Sequence, residues 1–324
     1  MKILAVDDEP LVLRLLEATL EGLGYSNADF VTSGTAALAQ LNAAQTPYSC
    51  ILLDIRMPGM DGIELCRAIR QMPKYQGTPI LMLTALSEKT YVDESFASGA
   101  TDYINKPIDA TELGARLRVA RIIHTERERA AQASIYGQGG NGAGPKDPQF
   151  DFEDPIQIRD VPRVVNALAF ENYLQQLDRL GLFKTGIIGF QIRHADSLFA
   201  VKSRGEFSGI LTDVAESIFE NTRYAKPLVS YLGSGTFVAV VPRARLLDRS
   251  ELETGIAMTL LDIQLAEVFG PEYDVHVEVG HQINGGMFRS SPKAMIEAAV
   301  ASVRQHAPGL LSGGFASRIR NLAS

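Results

Sequence analysis

Four strand-like segments in this chain end on residues able to do chemistry. Residues 2–6 lead into Asp7-Asp8-Glu9, and Cys50-Ile51-Leu52-Leu53 leads into Asp54. Residues 80–83 end on Thr84, and residues 102–105 end on Lys106. Side-by-side carboxylates are costly unless a positive charge lies among them. Hard cations such as Mg²⁺ take oxygen ligands and keep several waters, so a few acids suffice to hold one. Singly each residue is ordinary: an Asp opens a turn, a Thr follows a strand, a Lys before a proline faces water. An acid pair, an acid, a hydroxyl and an amine brought to one edge make a set.

The elements that must position them follow from the pattern. Cys50 to Leu53 is continuous and apolar, the signature of a strand buried on both faces. The loop after Asp54 is built from turn residues, Pro58-Gly59 and Asp61-Gly62. Pro10 suits the first turn of a helix whose apolar residues Val12, Leu15, Leu16 and Leu20 recur at helical spacing. Further strands are expected at 28–32, 80–83 and 102–105, with helices at 35–43, 63–72, 91–98 and from Asp109, where Glu112 completes a capping box. Such alternation predicts a parallel sheet covered on both faces. Ligands of open α/β sheets bind just beyond the carboxyl ends of the strands, where these polar residues stand.

Composition narrows the class. A chain of 324 residues, 46% hydrophobic and 21% charged, is long enough for two domains with sizeable cores. The formal charge of −7 argues against a nucleic-acid binder relying on a broad basic surface. Cys50 and Cys66 fall in a strand and a helix and supply neither a disulfide framework nor zinc spacing. No apolar run approaches the ~20 residues of a bilayer span, and the start of the chain does not resemble a signal peptide, so a cytoplasmic protein is expected.

Residues 1–125 resemble the receiver domain of two-component response regulators. The resemblance is carried by Asp7-Asp8-Glu9, by the LLDIRMPGMDG around Asp54, by Thr84-Ala85 and by Lys106-Pro107, with Tyr103 at the family's switch aromatic. It implies a flavodoxin-like five-stranded parallel (βα)5 fold. It also implies that Asp54 accepts a phosphoryl group as nucleophile, with Mg²⁺ on Asp7 (through a water), Asp8, Asp54 and the Arg56 backbone carbonyl. Lys106 and Thr84 would each hold a phosphoryl oxygen. Movement of Thr84 would let Tyr103 turn inward and change the face made by the fourth helix, fifth strand and fifth helix. The partner implied is a sensor histidine kinase or phosphotransfer protein.

The helix from Asp109 continues past residue 125 in good helix formers, with alternating charges at Glu126-Arg127-Glu128-Arg129. A solvated face is the first reading; a dimer contact is the alternative, leaving a homodimer open. GQGGNGAG at 137–144 has the composition of a flexible linker, and 145–155 adds a Pro- and Asp-rich tether, so residues 126–159 are read as helical extension and linker. An output domain is expected over 160–308 and a loosely ordered tail over 309–324. Within it helices are expected at 165–180, 195–201, 206–221, 250–269 and 292–304. Strands are expected at 185–192 and 273–283, with a hairpin, 227–232 and 236–241, about Gly233-Ser234-Gly235. This order predicts an α+β domain with a mixed sheet.

The same order resembles the GGDEF, or diguanylate cyclase, fold. Asn166 and Phe170 in the first helix, Phe237 and the apolar run to Pro242, and Val279-Gly280 in the last strand support it. The family's acids are replaced: Gln191 and Arg193 stand for its D-x-D, and Gly235 and Thr236 for the acids of GGDEF itself. Phosphoryl transfer from a nucleotide needs metals held by carboxylates. The expectation is therefore a degenerate, non-enzymatic domain that acts by binding a downstream protein. The alternative is a cyclase-type effector that makes or senses cyclic dinucleotides or GTP. His194, His276, His281 and His306 show no metal spacing, and no helix-turn-helix with basic recognition residues is visible.

Overall fold

The computed structural model describes residues 1–85, 89–136, 150–158, 161–263, 275–286 and 291–304. The chain divides into two compact units, Met1–Ala143 and Gly144–Ser324. The glycine-rich run at 137–144 and the 309–324 tail lie outside the described residues, as do 264–269 of one expected helix and the start of the 273–283 strand.

The first unit alternates β1 (Ile3–Val6), α1 (Pro10–Gly22), β2 (Ala28–Val31), α2 (Gly34–Ala43), β3 (Cys50–Asp54), α3 (Gly62–Gln71), β4 (Ile80–Thr84), α4 (Lys89–Ala97), β5 (Asp102–Asn105) and α5 (Ala110–Tyr136). All its strands are parallel, in the order β2-β1-β3-β4-β5. That is the flavodoxin-like order, whose ligand crevice opens where the order reverses, between β1 and β3. Every residue of β1, β3 and β4 is buried, which is why these strands read as unbroken apolar runs rather than as alternation.

One helix face differs from the sequence reading. Leu13, Leu16 and Leu20 of α1 are buried, whereas Leu15 is 53% exposed and Val12 only partly buried. A run of leucines supports two stripes one residue apart, and packing against β1 and β2 selects one. Helix α5 does continue beyond residue 125, with Leu113, Leu117 and Ala120 against the sheet and Ile122 facing outward.

The second unit runs β6 (Val164–Val165), α6 (Ala167–Gln176), α7 (Arg179–Phe183), β7 (Thr185–Ile192), α8 (Ala195–Val201), α9 (Arg204–Thr222), β8 (Leu228–Gly233), β9 (Thr236–Pro242), α10 (Arg249–Asp262), β10 (Val277–Val279), β11 (Ile283–Asn284) and α11 (Pro292–Arg304). The sheet is mixed, ordered β10-β7-β9-β8-β6, with β11 also on β7. Antiparallel pairs join β7 to β9, β10 and β11 and β8 to β9, and β6 lies parallel to β8. Phe190, Phe207, Tyr231 and Phe237 belong to the core on one face. On the other, α11 approaches so closely that a Cβ on Gly189 would lie 2.5 Å from the Ala299 carbonyl oxygen.

Three expectations are corrected here. The helix expected over 165–180 is two helices, because Asp178 caps a new one by accepting from Gly181 N at 2.6 Å. The strand expected to end at 283 is broken at Gly280, where a side chain would meet Ser302 Oγ at 2.3 Å. Residues 150–158, read as tether, pack on the second unit: Ile158 is buried, and Phe150, Phe152 and Ile156 lie against the same core. The alternation of apolar residues at 150, 152, 156 and 158 was the available signal, hidden by the surrounding acids and Pro155.

Candidate functional site

The strand ends of the first unit bring Asp7, Asp8, Asp54, Thr84 and Lys106 to one edge. Asp7 follows β1, and its N–H donates to the Val31 carbonyl at 3.2 Å; its Oδ1 accepts from Glu9 N at 3.0 Å. Asp54 is the last residue of β3, in register with Leu83 of β4. The loop beyond it is pinned by Gly62, whose N–H donates to the Ile55 carbonyl at 2.9 Å. A Cβ at Gly62 would sit 2.1 Å from the Asp54 carbonyl oxygen, so only glycine lets the start of α3 approach this closely. Asp61 and Glu64 close a capping box on that helix.

Lys106 is placed by β5, its N–H donating to the Thr84 carbonyl at 2.7 Å. Its ammonium lies 2.6 Å from Asp54 Oδ1 and 2.7 Å from Asp7 Oδ2. Burial opposes its charge, but the two carboxylates outweigh burial and hold its pKa above the ordinary lysine value. Asp54 shows the opposite balance. Burial pushes its pKa up; Lys106 lowers it, and the charges of Asp7 and Asp8 raise it further.

The pocket fits a divalent cation. Carboxylate oxygens of Asp7, Asp8 and Asp54 all lie within 4.8 Å of one another. Asp7 Oδ2 is buried and, although ion-paired with Lys106, lacks the alignment of a hydrogen bond. Among the described residues no other group of three such side chains is drawn together. Arg56 is exposed in the loop after β3. Thr84 is buried. Tyr103 is 7% exposed, its ring edge-on to Phe96 at 6.1 Å and its hydroxyl pKa pushed up to about 12 by burial.

Residues 3–118 match the response regulator receiver domain. The first unit is a receiver domain. Its similarity extends to the transcriptional regulatory protein ResD of Bacillus subtilis (strain 168), 42% identical over 135 residues, which cover 42% of this chain and 51% of that protein. The DNA-binding response regulator MtrA of Mycolicibacterium smegmatis is 39% identical over 134 residues, 41% of this chain and 56% of that one. The signal transduction histidine-protein kinase BarA of Escherichia coli (strain K12) is 38% identical over 113 residues, 35% of this chain and 12% of that one. The chain thus spans about half the length, or less, of these relatives. A putative response regulator from Chloroflexus aurantiacus J-10-fl is 36% identical, covering 37% of this chain and 95% of that one with a TM-score of 0.35. Receiver domains bind Mg²⁺ in an acidic pocket of this kind and work with histidine kinases or phosphotransfer proteins. Among the described residues no helix is long and apolar enough to cross a membrane.

The sequence did not point to the receiver's Asp102. Its Oδ1 accepts from Tyr103 N at 2.9 Å while its Oδ2 pairs with Arg116 of α5 at 2.7 Å, tying the Tyr103 strand to that helix. Arg70 was also missed. Partly buried, it donates to the carbonyls of Gly99, Tyr75 and Thr78, clasping the loops at the opposite end of the sheet.

In the second unit the row Glu278–Gln191–Thr236 crosses β10, β7 and β9 in register. Gln191 Oε1 accepts from Thr236 Oγ1 at 2.7 Å, and its Nε2 donates to the Ser234 carbonyl at 3.0 Å. Arg193 donates through Nε and Nη2 to Glu278 Oε1 at 3.0 and 2.7 Å. The turn is equally closed: Gly235 N donates to Tyr231 Oη at 3.1 Å and Ser234 N to the Phe152 carbonyl at 2.7 Å. Glu278 itself gave no sequence signal, since a lone acid in an apolar strand is uninformative until its cation is known.

Proposed function

We propose that this chain is a response regulator that accepts a phosphoryl group on Asp54 and passes the change to a non-catalytic output domain derived from the GGDEF fold. The observation that carries the first half is the Lys106 ammonium between Asp54 and Asp7 at the strand ends. An Asp54 carboxylate oxygen attacks phosphorus, the new O–P bond forms an acyl phosphate, and the bond from phosphorus to the donor breaks. Lys106 exchanges a carboxylate for a phosphoryl oxygen as a compact cation, and the Thr84 hydroxyl donates to another. Asp7, Asp8, Asp54 and the Arg56 carbonyl are the groups to hold Mg²⁺, which when bound offsets the charge on the phosphoryl oxygens. The Tyr103 ring beside Phe96 is the group whose reorientation reads the event out to the surface of β5 and α5.

The second half rests on the polar row. A cyclase needs anionic metal ligands and free backbone donors for a triphosphate. Here Gln191 and Thr236 hydrogen-bond each other, Arg193 neutralises Glu278, and the amides of Ser234 and Gly235 have internal acceptors. This supports a binding module for a downstream protein.

Acetyl phosphate and Mg²⁺ followed by intact-mass measurement test the reading. One added phosphoryl group is expected on the native chain and none on Asp54→Asn. Equal modification of both sinks the assignment. Cyclic dinucleotide made from GTP above a Thr236→Ala control sinks the non-catalytic output domain.

A further inference from the structure

Residues 150–158, Phe-Asp-Phe-Glu-Asp-Pro-Ile-Gln-Ile, are neither helix nor strand, yet they lie across the tip of the β8–β9 hairpin. The Phe152 carbonyl accepts from Ser234 N, and the Glu153 carbonyl lies where a Cβ of Gly233 would be, at 2.2 Å. Gly233, Ser234 and Gly235 all have positive φ, at 92°, 53° and 72°, so the turn presents its backbone rather than side chains to whatever covers it. Beside the turn, Phe150 and Phe152 pack against Phe199 and Phe207 with ring centroids 5.3 to 6.4 Å apart, and the Arg204 guanidinium stacks on Phe199 at 3.5 Å. The acids that follow each aromatic residue, Asp151 and Glu153, face water.

The occupant is a tight turn, with Asp154 N donating to the Asp151 carbonyl at 3.0 Å and Asp151 N to Asp154 Oδ2 at 2.9 Å, so a surface with an aromatic floor, one backbone donor and a glycine that admits a close backbone here takes a turned peptide. Its occupant here is this chain's own segment. Phe150 and Phe152 are only partly buried, unlike the fully buried Phe199 neighbour Phe207, so the two rings cover the core, while Ile158 at the end of the segment belongs to it. Before it in the sequence stand GQGGNGAG at 137–144 and PKDPQ at 145–149, the composition of a linker.

We propose that residues 150–156, anchored at the buried Ile158, are a latch that closes a peptide-binding groove in cis, and that the groove's partner is a turn-forming protein segment of the same chemistry, aromatic residues alternating with acids. This deepens the reading of the second unit as a binding module and rests on it. A tethered occupant acts at an effective concentration of about millimolar, so it excludes a free peptide until it opens.

A fluorescein-labelled peptide of residues 149–158 is titrated against the full chain and against Phe150→Ser/Phe152→Ser, with circular dichroism confirming that the variant is folded. Saturable binding to the variant, at least tenfold tighter than to the native chain and absent for a peptide carrying the same two serines, is expected. No binding to the folded variant, or equal binding to both chains, overturns the proposal. Should the variant fail to fold, amide exchange of the native chain decides. The Ser234 amide exchanging at least tenfold faster than Gly235 and Ile188 supports a latch that opens alone. Ser234 as slow as Ile188, or as fast as Gly235, overturns it. Turnover of GTP by the native chain sinks the binding-module reading by a separate readout and leaves the peptide result standing.

Discussion

Lys106, itself only partly buried, forms an ion pair at 2.6 Å with the buried Asp54, and its cation is shared with the buried Asp7 at 2.7 Å. One ammonium therefore balances two carboxylates that the sheet has forced together. Removing one member of a buried pair leaves an uncompensated charge. Lys106→Met is expected to lower the unfolding free energy of the receiver by about 3 kcal/mol without divalent ions. Urea titrations with and without Mg²⁺ check it. The ion should restore more stability to the variant than to the native chain, because it takes over the missing positive charge.

The metal ligands are expected to differ in weight. Asp8→Asn removes an anionic group of the cluster while leaving the Asp7–Lys106–Asp54 arrangement standing, so Mg²⁺ affinity should fall by at least tenfold. Asp7→Asn should cost less, since Asp7 is engaged with Lys106 and Glu9 N. A Mg²⁺ titration giving equal affinity for Asp8→Asn and the native chain places the ion elsewhere.

Placing an acid in the hairpin turn is not expected to produce a cyclase. Gly235 has φ 72° and is buried, and a Cβ there would lie 2.3 Å from the Cβ of Ala195. The left-handed backbone alone costs a side chain about 1–2 kcal/mol, and the clash adds to it. Gly235→Asp is expected to lower the thermal midpoint of the second unit without producing cyclic dinucleotide, by calorimetry and product assay together. An unchanged midpoint contradicts the packing described for α8 against the turn.

Alkaline pH should loosen the receiver through Cys50. Burial pushes this thiol up to about 12, whereas an exposed thiol titrates near ~8.5. Below ~8.5 both states hold the proton and nothing is lost. Above it the unfolded chain releases a proton that the folded chain keeps, so stability falls by up to ~1.4 kcal/mol per pH unit until about 12. The measurement is unfolding free energy between pH 8 and 10.5 for the native chain and Cys50→Ala. The variant should fall less steeply, whatever its stability at pH 8.

The receiver and its site were legible because they are local in sequence. The strands other than β2 are short segments that end on or just before a functional residue, and a parallel sheet collects strand ends at one edge. Asp7, Asp8, Asp54, Thr84 and Lys106 could thus be grouped before any contact was known. The second unit's mixed sheet was legible in outline for a similar reason, since the Gly233-Ser234-Gly235 turn between apolar runs marks a hairpin.

What the tertiary structure alone decided concerns choices that sequence leaves degenerate. Leu13 rather than Leu15 faces the core because two stripes of α1 are equally apolar and only the sheet chooses between them. Cross-strand register made partners of Gln191, Thr236 and Glu278, residues up to 87 positions apart that no local pattern connects. Residues 150–158 looked like tether because acids and a proline set their composition, while their place is set by rings. Phe150 and Phe152 find Phe199 and Phe207 only after the hairpin and α8–α9 have formed the surface to receive them.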